Sequence, residues 1–230
     1  MPFSHETSHQ STIQAKKMKV IGVKQLLGKK YKLIPDLPPE WAESFGQVEE
    51  SFVAIIWGAS GQGKSNFVYQ FLRVLSDKYP TLYVALEEGH SLTTQNLVNR
   101  HDLTTLSGKI KWANHETTLE SLTEHLKRKK SARVVVIDSL QYFHITYTDY
   151  KRLRQLFPKK TFIFISHAKG KAPDGKTADK IRYDSPIKVR VEGYMAFVVS
   201  RFGGNKNYVI WEEGAKKYWG LKAFNKLKNR

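Results

Sequence analysis

The sequence contains no cysteine among its 230 residues. This absence excludes disulfide bonds, thiolate zinc sites and thiol catalysis, and it is compatible with a reducing compartment. No apolar run approaches the length of a membrane-spanning helix, and residues 1–14 are polar where a signal peptide would carry an apolar core. We therefore expect a cytoplasmic protein without a membrane partner.

Acidic residues are scarce relative to basic ones. The 21 Asp and Glu stand against 38 Lys and Arg, which gives a formal net charge of +17. Seven basic residues lie in residues 16–32, twelve in residues 151–190 beside three acids, and six in residues 215–230. A charge of this size indicates a polyanionic partner such as nucleic acid, and a solvated basic surface is the alternative.

The length and the 40% hydrophobic content suit one globular α/β domain. We predict a flexible N-terminal segment (1–18), a lead-in that packs on the core (19–50), the core itself (51–214) and a basic C-terminal tail (215–230). Strand and helix patterns alternate in the core, which predicts a three-layer sandwich with a central, mostly parallel sheet. The predicted strands are 52–57, 82–86, 110–113, 134–138, 161–166, 193–200 and 208–211, and the predicted helices are 39–45, 64–76, 91–100, 119–129 and 148–157.

A glycine-rich motif joins the first predicted core strand to the helix that follows it. Its spacing is G-x-x-x-x-G-K-[ST], which between a strand and a helix predicts a phosphate-binding loop, whereas a mere surface loop is the alternative. We expect Lys64 to reach the β- and γ-phosphates of ATP and the Ser65 hydroxyl to ligate Mg²⁺. The predicted nucleotide-binding residues are Gly58, Ala59, Ser60, Gly61, Gln62, Gly63, Lys64, Ser65 and Asn66.

Carboxylates end two other predicted strands. Asp138 follows four β-branched residues and is the predicted Walker B residue, which holds the Mg²⁺ water shell. Glu87 is the candidate catalytic base and Glu88 the second choice, although both acids could instead cap the helix that begins near Ser91. Two strands lie between Lys64 and Asp138, which favours the ATPase division of P-loop proteins over small-molecule kinases and GTPases.

A polar pair, Ser166 and His167, ends the fifth predicted strand. Carboxyl ends of parallel strands meet at one edge of such a sheet, so the pair could sense the γ-phosphate and signal its presence to the basic segment that follows. A purely structural histidine is the alternative.

Together these features resemble the RecA-like ATPase core of RecA and RadA recombinases, DnaB-type helicases and KaiC-type ATPases, over residues 50–212. The Glu87-Glu88 pair resembles the catalytic glutamate position, and Ser166-His167 resembles the polar sensor strand. Residues 200–204, S-R-F-G-G, are similar to the K-N-R-F-G stretch of RadA, which implies that Arg201 acts on a neighbouring subunit's nucleotide. The companion lysine of that stretch is Val199 here, which leaves Arg201 to act, with Lys206 as the candidate helper.

The resemblance further implies a homo-oligomeric ring or filament that binds single-stranded DNA in replication or recombination, with a possible protein partner there. The chain is similar to the single-domain members of this group that are found in phages and mobile elements. In such folds residues 141–150 and the basic loop 168–190 would face the central axis, although a solvated loop is the alternative. Two other functions stay open: an ATP-dependent helicase loader or regulator with weak hydrolysis, and a P-loop phosphotransferase. The predicted DNA-binding residues are Lys169, Lys171, Lys176, Lys180, Arg182, Lys188 and Arg190.

Overall fold

The computed structural model describes residues 18–230, so the predicted flexible segment lies almost wholly outside the described residues. The chain divides into two compact units, residues 1–31 and 32–230, and this boundary falls inside the predicted lead-in. The described part of the first unit contains one short helix, α1 (Val23–Leu27). Within residues 18–230, the helices all fall short of the length and apolar character that crossing a bilayer requires.

The second unit is built around an eight-stranded sheet. Its elements are, in chain order, α2 (Pro39–Phe45), β1 (Val53–Gly58), α3 (Lys64–Lys78), β2 (Thr81–Ala85), α4 (Leu92–Arg100), a 3₁₀ helix (Leu103–Leu106), β3 (Ile110–Ala113), α5 (Leu119–Lys127), β4 (Val134–Asp138), α6 (Leu140–Phe143), α7 (Tyr147–Leu156), β5 (Thr161–Ser166), β6 (Ala168–Lys169), β7 (Ala172–Pro173), α8 (Lys176–Asp184), β8 (Ile187–Glu192), β9 (Met195–Ser200), β10 (Tyr208–Val209), α9 (Glu212–Trp219) and α10 (Leu221–Lys228).

The strand order is β10-β9-β8-β1-β5-β4-β2-β3. Six of these strands are joined to one another by parallel pairing, and β9 is antiparallel to both of its neighbours, β8 and β10. Strand β5 separates β1 from β4, so the strand that ends in Asp138 is not a direct neighbour of the phosphate-loop strand, as the sequence predicted. We call the edge where β1, β2, β4 and β5 end the carboxyl edge, and the opposite edge, where they begin, the amino edge.

Helices cover both faces of the sheet, which confirms the predicted three-layer sandwich. Helices α2 and α3 pack on one face, and α5 to α8 pack on the other. Trp41 and Phe45 of α2 both stack on Phe71 of α3, and the centroid of each ring lies 5.0 Å from that of Phe71. Burying one such side chain contributes about 2–3 kcal/mol, so helix α2 is held firmly against the core.

The prediction of a basic loop over residues 168–190 was wrong. The segment forms the hairpin β6–β7, then α8, then β8, which is inserted into the sheet beside β1. Ile187, Val189 and Val191 are buried while the residues between them are half-buried, a period of two that the intervening charges obscured. Residues 215–230, predicted as a tail, lie in α9 and α10, whose Ala215 and Phe224 pack against Met195.

Candidate nucleotide-binding site

The phosphate loop connects β1 to α3 at the carboxyl edge. Gly61 and Gly63 adopt left-handed backbone conformations with φ of 74° and 95°, which side-chain-bearing residues rarely adopt. A Cβ atom at Gly58 would lie 2.5 Å from the Val191 carbonyl oxygen, so glycine is required there by close packing. These glycines leave the first-turn N–H groups of α3 directed outward, where the helix dipole favours an anion.

Gln62 fastens the loop to the turn between β8 and β9. Its Oε1 accepts a hydrogen bond of 2.7 Å from the Gly193 backbone N–H, and its own carbonyl oxygen accepts one of 3.1 Å from Tyr194. Trp219 in turn donates from Nε1 to the Gly193 carbonyl oxygen, at 3.1 Å. The loop is therefore held from outside by the turn that joins β8, a strand that the sequence did not predict, to β9.

A cleft of 690 Å³ opens in front of the loop. Most of the predicted phosphate-site residues line it, including Lys64, Glu87, Glu88 and Asp138. Gln62 is turned toward Gly193 instead, and Ser166, His167 and Arg201 lie outside the lining. The fold thus brings residues from β1, β2 and β4 to one cavity, because these parallel strands end at the same edge.

Asp138 lies at the end of β4, where the Tyr83 hydroxyl donates a hydrogen bond to its Oδ2. Burial raises the pKa of Asp138 to about 6, against the opposing effects of the Tyr83 hydrogen bond and the Lys64 charge. Burial, followed by the Asp138 charge, raises the pKa of Tyr83 well above its usual value, so this hydroxyl remains a donor. With this pKa Asp138 is mostly ionised at neutral pH, and a nearby cation would stabilise that charge.

The oxygen atoms of Ser65 and Asp138 suit a hard cation such as Mg²⁺. No cluster of three or more acidic, histidine or cysteine side chains suited to a metal occurs within residues 18–230. Magnesium here would therefore take its remaining ligands from water and from the phosphates, which is its usual arrangement at nucleotide sites.

The two adjacent glutamates point to different neighbours. Oε2 of Glu87 lies 3.0 Å from Nε2 of His167, which links the end of β2 to the end of β5. Oε2 of Glu88 accepts a hydrogen bond of 2.6 Å from the Thr93 hydroxyl, in the first turn of α4. Glu87 is therefore directed toward the middle of the carboxyl edge, whereas Glu88 is directed toward a helix end.

Gln141 of α6 forms hydrogen bonds to both members of the polar pair, the buried Ser166 and His167. Nε2 of Gln141 donates to the Ser166 hydroxyl and to the Asp174 carbonyl oxygen, both at 2.9 Å. Oε1 of Gln141 accepts from the His167 backbone N–H at 3.1 Å. Gln141, which the sequence placed in the predicted axis-facing segment 141–150 without a role of its own, thus connects the glutamate-bound histidine to the chain that follows the β6–β7 hairpin.

Asn66, Arg100 and His101 form one wall of the cleft. Oδ1 of Asn66 lies 3.0 Å from Nε2 of His101 and accepts a hydrogen bond of 3.4 Å from Arg100. The Asn66 side chain therefore holds the end of α4, which leaves its backbone N–H as the group available to a phosphate. Burial, followed by the Arg100 charge, lowers the pKa of His101, so this ring is neutral at pH 7.

Aromatic and apolar side chains line the mouth of the cleft beside the loop. Tyr194 and Trp211 meet edge to face with ring centroids 5.0 Å apart, and Ile210 lines the cleft together with them. Gln70 of α3 donates from Nε2 to the Ile210 carbonyl oxygen at 3.1 Å. Trp211 is 52% exposed, so its ring is accessible to a planar ligand. No specific sequence signal separated Trp211 from the other aromatic residues nearby.

Arg201 lies at the amino edge. Ser200 pairs with Ile187, which pairs with Ala54, whereas the loop residue Gly58 pairs with Val191. Four strand residues, about 13 Å at 3.3 Å per residue, thus separate Arg201 from the level of its own phosphate loop. The guanidinium donates to the Tyr183 carbonyl oxygen at 3.1 Å, and Lys206 pairs with Glu43 at 2.7 Å.

The seven predicted DNA-binding residues fall into two groups. Arg182 pairs with Asp179, Arg190 pairs with Glu192, and Lys188 is half-buried on β8. The other four are exposed and, among the residues that the structure describes, have no acidic side chain within ion-pair distance. These four are Lys169, Lys171, Lys176 and Lys180.

The comparisons with known proteins agree with this architecture. No family model and no curated protein matches the sequence. The structure is similar to that of the flagellar accessory protein FlaH from Methanocaldococcus jannaschii, with 16% identity, a TM-score of 0.55, and coverage of 74% of this chain and 88% of that one. It is also similar to a KaiC-like protein from Pyrococcus horikoshii, with 18% identity, a TM-score of 0.51, and coverage of 75% and 88%. The chain has the RecA-like P-loop fold that its motifs predicted.

Proposed function

We propose that the chain binds ATP together with Mg²⁺ at the carboxyl edge and hydrolyses it to ADP and phosphate. The observation that supports this most strongly is the single cleft lined by the phosphate loop, Lys64, Asp138 and Glu87. These groups come from three different strands and supply anion binding, a metal ligand and a base.

The roles follow from position. The N–H groups at the start of α3 and the Lys64 ammonium hold the phosphates. Bound Mg²⁺, held by Ser65 and through water by Asp138, would neutralise charge on the phosphate oxygens. Glu87 accepts a proton from the attacking water. The oxygen of that water bonds to the γ-phosphorus while the bond from this phosphorus to the bridging oxygen breaks, which releases ADP. His167 orients the Glu87 carboxylate.

The test is ATP turnover by the full chain with Mg²⁺, with and without an oligo-dT strand. Turnover that requires Mg²⁺ supports the proposal. Tight nucleotide binding without turnover would contradict hydrolysis and favour the helicase loader or regulator. An ADP yield that depends on an added small acceptor and ignores DNA would favour a phosphotransferase.

We also propose that Arg201 acts on the nucleotide of a neighbouring copy in a ring or filament. Its exposed position at the amino edge, remote from its own loop, supports a role in trans over one in cis. Mixing Arg201→Ala chains with Lys64→Ala chains tests this role, because each mixed interface can combine one intact arginine with one intact cleft. Turnover above that of either variant alone supports it, and a fully active monomer would contradict it.

The proposed DNA partner is a single strand bound by the β6–β7 hairpin, α8 and α7. Besides the four exposed lysines, the Tyr147 ring lies 5.1 Å from Nζ of Lys151 and 5.8 Å from Nζ of Lys180. Exposed cations beside an aromatic ring suit a phosphate backbone with stacked bases. The hairpin lies beside the carboxyl ends of β1 and β5, because Trp57 donates to the Lys171 carbonyl oxygen at 3.1 Å, and Gln141 bonds both Asp174, just after the hairpin, and His167. Replication or recombination is the corresponding cellular role.

The DNA proposal is tested with two triple variants of equal charge. Lys169→Gln/Lys171→Gln/Lys176→Gln removes three charges from the proposed surface, and Lys217→Gln/Lys222→Gln/Lys226→Gln removes three from exposed positions on α9 and α10. Titrating labelled oligo-dT at several salt concentrations, we expect only the first to lower the salt slope, by about two, as three lost contacts to a single strand predict. Equal effects of both variants would contradict a defined surface.

A further inference from the structure

A second cationic cavity lies at the amino edge, remote from the nucleotide cleft. It has a volume of 360 Å³ and is bounded by the starts of β2 and β3 and by the chain between α5 and β4. Five basic side chains line it, and no carboxylate does so within the described part of the chain. These side chains are Lys109, Lys111, His125, Arg128 and Lys130.

The walls of this cavity are fixed by hydrogen bonds independent of any ligand. The Thr81 N–H donates to the Lys109 carbonyl oxygen, and the Arg133 N–H donates to that of Pro80, both at 2.8 Å. The Ser131 hydroxyl donates to the Leu126 carbonyl oxygen at 2.7 Å, which shapes the turn after α5. The basic side chains therefore project from a preformed frame.

Most of the charge around the cavity is not neutralised by the protein. Lys109 lies 3.5 Å from Oδ1 of Asp77, but Lys111, Arg128 and Lys130 have no acidic partner within 4 Å among residues 18–230. Burial, and then the charges of Arg128, Lys111 and Lys160, lower the pKa of His125. Positive charges so close together repel one another and are best stabilised by an external anion.

We propose that this amino-edge cavity binds phosphate groups, either those of a nucleic-acid backbone or those of a free polyphosphate. Arginine and lysine are the side chains best suited to phosphate oxygens, and a concave frame allows several of them to contact one anion. The site is separate from the nucleotide cleft, since the cleft lies where the strands end and this cavity lies where they begin.

The experiment uses the full chain and Lys111→Gln/Arg128→Gln/Lys130→Gln, with Lys217→Gln/Lys222→Gln/Lys226→Gln as the charge-matched control. The probes are a labelled 20-base-pair duplex, labelled oligo-dT and inorganic pyrophosphate. If a nucleic-acid backbone is the ligand, we expect the cavity variant to bind the duplex about tenfold more weakly, with a salt slope lower by about three, while the control retains wild-type binding.

A second readout does not depend on DNA. If a free polyphosphate is the ligand, pyrophosphate should raise the pKa of the His125 imidazole, measured by NMR, in the wild-type chain and the control but not in the cavity variant, while duplex binding is the same in all three. Equal losses of duplex affinity in both triple variants, together with an unmoved His125 pKa, would overturn the proposal. Unchanged circular dichroism would show that the variants fold.

Discussion

The two edges of the sheet each place basic side chains around a cavity, but among residues 18–230 only the cavity at the carboxyl edge is also lined by carboxylates. At that edge Lys64 faces Asp138, Glu87 and Glu88 in one cleft. At the amino edge five basic side chains line a cavity without an acid among the described residues. A mixture of charges can hold a metal and move a proton, whereas a set of cations can only bind an anion. We therefore assign the proposed ATP hydrolysis to the carboxyl edge and the proposed phosphate binding to the amino edge.

The largest expected effect is on ATP turnover, and it should distinguish a lysine at the carboxyl edge from a lysine at the amino edge. Lys64→Ala should lower ATP turnover by more than about a thousandfold, because the γ-phosphate loses its cation in the transition state. Lys129→Ala removes an exposed charge at the amino edge, outside both cavities, and should leave turnover within about twofold. Steady-state phosphate release measures both. Comparable losses in the two variants would abolish the distinction between the edges.

The next effect distinguishes the two glutamates within the cleft. Glu87→Gln should lower the rate of hydrolysis at least about a hundredfold while ATP affinity changes little, because a base acts only in the transition state. Glu88→Gln should lower the rate less than about fivefold, as expected for a carboxylate bonded to Thr93. Single-turnover hydrolysis and equilibrium binding give the two quantities. The reverse ranking would move the base to Glu88.

Asp138 provides a test through stability. Its folded pKa of about 6 exceeds the usual 3.8, so the nucleotide-free folded state binds more protons and gains stability as the pH falls from 6 toward 4. Above pH 6 the buried charge is a cost that Asp138→Asn removes. Without nucleotide, we expect this variant to be about 3 kcal/mol more stable than wild type at pH 8 and nearly equal to it at pH 4, by urea unfolding. A destabilised variant at pH 8 would contradict this environment.

The smallest effect concerns the mouth of the cleft. Trp211→Ala should weaken ATP binding about fivefold to tenfold if the adenine stacks on this exposed ring, and Trp211→Phe should retain most of the affinity. Binding of inorganic triphosphate, which has no base, is the control and should be the same in all three chains. Equal losses for ATP and triphosphate would show that Trp211 supports the loop and does not contact the base.

The sequence predicts those features of the structure that depend on local residue patterns. The phosphate loop and the carboxylates at the ends of β2 and β4 are local patterns, so the RecA-like fold and the loop and acidic residues of the cleft could be named in advance. Ile187-Lys188-Val189-Arg190-Val191 was misinterpreted because its charges fit a basic loop as well as a half-buried strand. The alternation of burial became visible only with β1 and β9 on either side.

Contacts between distant segments left no pattern to find. Gln141 bridges the ends of β5 and the hairpin, and Tyr194 contacts the loop through Gln62, yet neither belongs to a motif. The amino-edge cavity combines residues from three separate stretches, and although residues 127–130 are a run of four basic residues, nothing in the sequence places Lys109 and Lys111 beside that run. Such sites depend on how elements pack, which a linear spacing does not encode.

The most direct test of the proposed chemistry is a crystal structure with Mg²⁺ and a non-hydrolysable ATP analogue. The account predicts that the terminal phosphate lies within about 3 Å of the Lys64 ammonium, with a water between its phosphorus and the Glu87 carboxylate. Metal density should lie between the Ser65 hydroxyl and Asp138. An analogue bound outside this cleft, or a terminal phosphate turned away from Glu87, would contradict it.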